Sequence, residues 1–155
     1  MNASVRLLAM ALATLAVAAC SSSGPTVRQE PPGMQLENLR LDEGRARIGV
    51  LLHNPNDHPI QVHAVELEMS VGGNRLFSDR WSVTLDIGAR GRERLGLETR
   101  GEIAAARRLT ELDGRPDART RYRLRAAIGL AEGEPVASER EGYLHPVPGQ
   151  PGSYR

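Results

Sequence analysis

The chain has 155 residues, 20 basic and 19 acidic, a length that holds one domain with a real core and little more. The near-balance of charge excludes a dedicated nucleic-acid binder, which would carry a basic surplus, and the single cysteine excludes an internal disulfide. Aromatic residues make up only 3%, so the core must be built from Leu, Val, Ile and Ala.

The first segment is a short basic start at Arg6, an apolar run from Leu7 to Ala16, and Val17-Ala18-Ala19-Cys20. Charge, apolar core and small residues in that order form a secretory signal peptide over residues 1–19. The run is too short to cross a bilayer, which takes about 20 apolar residues. A cysteine directly after two small residues resembles the lipobox of bacterial lipoproteins. The resemblance implies cleavage before Cys20, acyl chains such as palmitate on that residue, and attachment to a membrane through it. Ser21 is compatible with outer-membrane sorting and a domain facing the periplasm, because the usual inner-membrane retention signal in lipoproteins is aspartate there. Arg6 leaves with the signal, so the remaining 136 residues carry 19 basic and 19 acidic groups. Every basic residue is arginine.

Residues 20–33 comprise the lipidated cysteine and a stretch of Ser, Pro and Gly (SSSGPTVRQEPPG) that cannot nucleate a core. It is expected to be a flexible tether with a reach of roughly 20 Å. Residues 34–144 then alternate with period two. Ala46, Ile48, Val50 and Leu52 form one apolar face; Trp81, Val83, Leu85 and Ile87 a second; Tyr122, Leu124, Ala126, Ile128 and Leu130 a third. Such alternation marks antiparallel strands with one buried face. Turn residues separate them at Asp42-Glu43-Gly44, Asn54-Pro55-Asn56-Asp57, Gly72-Gly73-Asn74, Gly88-Ala89-Arg90-Gly91 and Glu132-Gly133-Glu134. The pattern predicts an all-β antiparallel sandwich of seven to eight strands. Trp81 is expected in its core.

Two places break the period. Ile60 and Val62 share one parity, whereas Val65, Leu67, Met69 and Val71 share the other, so a bulge is required near His63 and Ala64. Glu102 to Leu112 is too rich in alanine for a strand and predicts one short helix. Thr99 and Glu102 have capping-box spacing, and Gly114 suits a helix end. Residues 145–155 (HPVPGQPGSYR) are expected to form a disordered tail.

Few residues have the arrangement that chemistry demands. No nucleophile elbow, zinc-protease helix or phosphate loop is present. His53, His58 and His63 are close in sequence, but two of them flank a turn and no cysteine joins them, so no metal site is expected. Glu66 with Glu68, and Glu139 with Glu141, sit two apart as solubilising charges on a wet strand face do. Arg119, Arg121, Arg123 and Arg125 form a ladder. These four could contact an anionic surface such as phosphate headgroups, or pair across a hairpin with Glu139 and Glu141. Pairing fits the charge balance. It requires odd residues to face odd residues, with Arg125 opposite Glu139 and Leu130 opposite Glu134, most simply through a three-residue loop Ala131-Glu132-Gly133.

The stretch ARIGVLLHNPNDHPIQVHAVELEMSV, from Ala46 to Val71, has an apolar strand ending in Asn54-Pro55-Asn56, then a second strand running into Gly72-Gly73. It resembles the late embryogenesis abundant type 2 family, also called the WHy (water stress and hypersensitive response) domain, and the likeness extends over roughly Met34 to Leu144. The resemblance implies an immunoglobulin or fibronectin-III-like sandwich, no enzymatic activity, no cofactor, and a part in stress or desiccation protection. The Asn-Pro-Asn residues have a structural task of their own. Pro55 holds Asn54 extended, and Asn56 and Asp57 turn the chain out of its strand. The expected function is a non-enzymatic envelope lipoprotein that protects or scaffolds other components. The alternative is an accessory subunit docking an envelope transport or assembly machine, which should show an apolar patch rimmed by polar residues.

Overall fold

A computed structural model of the chain describes residues 30–115 and 117–155. Cys20 and the signal and tether segments before Glu30 lie outside those residues.

Strands β1 (Gly33–Asp42) and β2 (Arg45–His53) form a hairpin closed by Glu43 and Gly44, both at positive φ (46° and 79°). Two left-handed residues give the turn twist that matches right-handed strands. Strands β3 (Ile60–Val71) and β4 (Asn74–Ile87) repeat the device at Gly72 and Gly73, at 56° and 86°. Then follow β5 (Arg92–Arg100), helix α1 (Ile103–Thr110), β6 (Thr120–Leu130), β7 (Val136–Leu144) and β8 (Ser153–Tyr154). The strands make two four-stranded sheets, β5-β2-β1-β8 and β4-β3-β6-β7, all paired antiparallel. The inner faces meet as a sandwich. Ile48, Val50 and Leu52 from the first sheet and Val65, Leu67, Leu124 and Ile128 from the second are wholly or almost wholly buried. Ala105 and Leu109 of α1 close one end.

The bulge required in β3 is present: both of its ladders shift register between Val62 and Ala64. A second shift, between Met69 and Ser70, leaves both Leu76 and Phe77 buried on β4. Leu76 gives its carbonyl to the Glu102 amide at 2.7 Å, which ties α1 to the sheet. Of the four alternating residues expected to face inward on β4, only Ile87 is buried; Trp81, Val83 and Leu85 are half-buried against the core. The inward parity of Trp81 is as expected, but β4 is an edge strand and leaves one side of the ring open. The Trp81 indole N–H donates to the Glu98 carbonyl at 3.0 Å, capping a main-chain acceptor of β5.

Two expectations are corrected. No capping box forms, because β5 runs to Arg100 and Thr99 is still extended. Glu102 is itself the N-cap, with no side-chain cap bond. Thr99 instead donates to Asp79 (2.8 Å), and Glu102 accepts from Arg75 (2.6 Å). Residues 145–155, expected to be disordered, fold back as a hairpin whose Ser153 and Tyr154 pair with Arg40 and Leu39. Tyr154 is fully buried, and its hydroxyl donates to Asp113 at 3.0 Å. Gly152 fits where a side chain could not, since a Cβ there would overlap the Leu41 carbonyl.

Candidate functional site

Among the described residues Asn54 and Asn56 are the buried polar side chains, 0% and 7% exposed. The Asn54 amide donates to the carbonyls of His58 (2.7 Å), Ile87 (3.2 Å) and Gly88 (3.0 Å). Its oxygen accepts from the main-chain and side-chain nitrogens of Asn56, each at 3.0 Å. Asn56 in turn accepts from the Glu30 amide (2.8 Å) and donates to the Glu30 carbonyl (2.9 Å), copying the two-way bond of a strand pair. Two side-chain amides thus join the β2–β3 loop, the β4–β5 turn and the point where the N-terminal segment enters the domain. The β4–β5 turn holds Arg90 at φ 55°, a left-handed value few arginines adopt. Its amide donates to the Asn56 carbonyl, and its guanidinium bonds Asp57 at 2.7 Å. That bond, and then the arginine charge, hold the Asp57 carboxyl below its usual range.

The arginine ladder is largely neutralised. Arg123 faces Glu141 and Arg125 faces Glu139, the odd-to-odd register expected. The connecting loop is longer than three residues, since the last pair is Ile128 with Val136, but Gly133 does take a positive φ of 91°. Arg121 and Arg123 reach Glu141 at 2.6 and 2.7 Å, and Arg125 reaches Glu139 (3.2 Å) and Glu68 (3.4 Å). The hydrogen bonds from Arg123 and Arg121 draw the Glu141 carboxyl below its normal range. Arg119 stacks over the Tyr143 ring at 4.6 Å.

The other singled-out residues stay apart. His53 lies in β2, His58 in the loop after it, and His63 beside the β3 bulge, over Gly129. Among the described residues no three His, Cys, Asp or Glu side chains are grouped to hold a metal. Glu66 and Glu68 point outward from β3, and no helix among those residues is long and apolar enough to cross a membrane. Sequence reasoning missed the Asp113–Tyr154 contact and the part of Glu30, both made of residues 26 to 41 positions apart.

The profile of the late embryogenesis abundant protein family, LEA_2, matches residues 50–136, more than half of the chain. The chain belongs to this family. No curated protein matches. A solution structure of an Arabidopsis thaliana protein is similar in fold to this LEA_2 chain, with a TM-score of 0.58 and 13% identity over 75% of this chain and 82% of that one. A crystal structure of an Archaeoglobus fulgidus protein gives 0.49 and 14%, covering 77% and 98%. A solution structure of a candidate late embryogenesis abundant (LEA) protein gives 0.49 and 13%, covering 74% and 72%. The Asn-Pro-Asn clasp lies inside the matched LEA_2 region, as do β3 to β6.

Proposed function

We propose that this LEA_2 chain is a bacterial envelope lipoprotein, held by acyl chains on Cys20 at the outer membrane and facing the periplasm. It acts without catalysis, protecting or scaffolding neighbouring components under stress such as desiccation. The observation that carries the reading is the character of the surface. Among the described residues the exposed large apolar side chains are Ile103, on α1, and Tyr143, on β7, and the latter lies under Arg119. A subunit built for one partner would gather such side chains into a patch. A surface of scattered ion pairs instead stays soluble as macromolecules concentrate.

Anchoring is tested at Cys20. One acyl chain binds a membrane marginally and several bind it stably. Cys20→Ala should therefore shift the chain from the membrane fraction to the soluble one, or leave it uncleaved; a cleaved variant that stays membrane-bound removes the lipoprotein reading. The protective task is tested by drying cells that lack the chain. Survival should fall and be restored by the parent gene, and unchanged survival removes the stress reading.

A further inference from the structure

Pairing across the second sheet leaves its outer face nearly neutral. Its strands present Arg75, Arg80, Arg121, Arg123 and Arg125 against Glu66, Glu68, Glu139 and Glu141. The outer face of the first sheet is different. In register across β1, β2 and β5 lie Arg40 with Arg47 and Glu98, Asp42 with Arg45 and Arg100, and His53 with Arg92. Arg94 and Glu37 complete the set, so six arginines stand against three acids. With Glu43 in the adjoining turn the surplus is still two. Glu98 serves both Arg45 and Arg47, and Glu37 serves Arg94. Among the described residues Arg40, Arg92 and Arg100 have no acidic partner. At the centre Gly49 faces Gly96, and a shallow trough opens there between Arg47 and Arg94. A planar fork of guanidinium donors suits phosphate oxygens. The Asn38 amide covers Gly49, whereas the floor at Gly96 is open and lets a headgroup come close.

We propose that the outer face of the first sheet lies against the anionic phosphodiester headgroups of the membrane in which Cys20 is anchored. The proposal rests on the lipoprotein reading. Two observations favour a membrane over an acidic protein as the occupant. The N-terminal segment enters at Glu30 and continues directly into β1, so the sheet that carries the surplus is the one joined to the anchor. Ten residue steps from Cys20 to Glu30 span at most about 36 Å, so the face is never far from the lipid. A surplus of two or three charges binds weakly by itself. Tethering supplies an effective concentration on the order of millimolar, and so populates such a weak contact.

The test uses the full acylated chain, in which an introduced cysteine is the only free thiol. Gly96→Cys places a label on the proposed face, where a Cβ meets nothing within 4 Å. Ala137→Cys places one on the exposed outer face of the second sheet. In phosphatidylglycerol-containing vesicles with a headgroup quencher, the Gly96 label should be quenched several-fold more than the Ala137 label. In phosphatidylcholine vesicles the two should be alike. The contrast should vanish at about 1 M salt, where the Debye length is about 3 Å. It should vanish too in the Arg40→Gln, Arg92→Gln, Arg100→Gln variant, since each such charge is worth about five-fold. It should persist when Arg121, Arg123 and Arg125 are changed to Gln. Equal quenching of the two labels in anionic vesicles, or a contrast that survives salt or the first triple substitution, overturns the proposal. If mass spectrometry finds Cys20 unacylated, the anchor reading falls separately. The face is then judged with a Cys20→Ser chain held on nickel-chelating lipid through an N-terminal histidine tag, which restores the tether: quenching at Gly96 that is lost with salt and in the first triple variant upholds it, and no quenching overturns it.

Discussion

Asn54 is the side chain whose loss should be felt most for its size. Asn54→Ala strands the partners of five hydrogen bonds. Three lie in the interior: the Ile87 carbonyl and both nitrogens of Asn56. The His58 and Gly88 carbonyls are only partly buried, and water can take them up. Leaving three buried groups unmatched at about 1–1.5 kcal/mol each gives about 3–5 kcal/mol. A domain's whole stability is about 5–15 kcal/mol, so the loss is a large share of it. At about 3–4 °C per kcal/mol for a domain of this size, the melting midpoint should fall by about 10–20 °C. Asn54→Asp keeps the volume but turns an acceptor toward three carbonyl oxygens, and should cost at least as much. Asn56→Ala gives up the partly buried Glu30 bonds and one interior side-chain bond, and should cost about 1–2 kcal/mol. Urea denaturation followed by Trp81 fluorescence and circular dichroism measures all three. An Asn54→Asp variant as stable as the parent, or an Asn56→Ala variant worse than Asn54→Ala, refutes the reasoning.

Trp81→Ala should cost about 2–3 kcal/mol, less than the ~3–5 kcal/mol of a fully buried aromatic, with parent emission between buried and aqueous values; emission at the aqueous value would show the ring lies outside. Glu141→Gln frees Arg121 and leaves Arg123 with Glu139 alone on an exposed face, and thermal melts in moderate salt should overlay those of the parent. The lowered carboxyls of Asp57, Glu98 and Glu141 stabilise the fold above the ordinary carboxylate range and lose that contribution as pH falls through their folded values. Tyr154 behaves in the opposite sense. Burial, and then its bond to Asp113, push its phenol up, so its contribution is complete below the ordinary tyrosine range and is lost as pH rises through the folded value. Midpoints measured against pH should decline at both ends. Tyr154→Phe should flatten only the alkaline decline, and an unchanged alkaline limb would place that titration elsewhere.

Period-two parity carries local information, and what it carries could be read directly. The change of face between Val62 and Val65 allowed no solution but a bulge. The charges of Arg125 and Glu139 set the β6–β7 register before any contact was known. The failures come where partners are distant. Thr99 and Glu102 have the spacing of a cap, but the strand order keeps Thr99 in β5, a tertiary fact. Residues 145–155 look like a tail because Pro and Gly dominate them, and only Asp113 and Leu41, far upstream, show what Gly152 and Tyr154 are for. The cationic face escaped for the same reason. Arg40 lies in β1 and Arg92 and Arg100 at the two ends of β5, far apart in the chain, whereas the ladder at 119 to 125 stands out in a single window yet is mostly cancelled by its neighbours.

The clasp made by Asn54 and Asn56 contains only amides and carbonyls. No group in it gains or loses a proton across the range of pH that living cells meet, and dipoles at contact distance are not screened as separated charges are. The guanidinium–carboxylate pairs outside respond to both acid and salt. As water leaves a drying cell its solutes concentrate, and the outward pairs weaken first. The three segments gathered by two asparagines stay joined through that change, so the end of the domain at which the N-terminal segment enters is the one least sensitive to the medium.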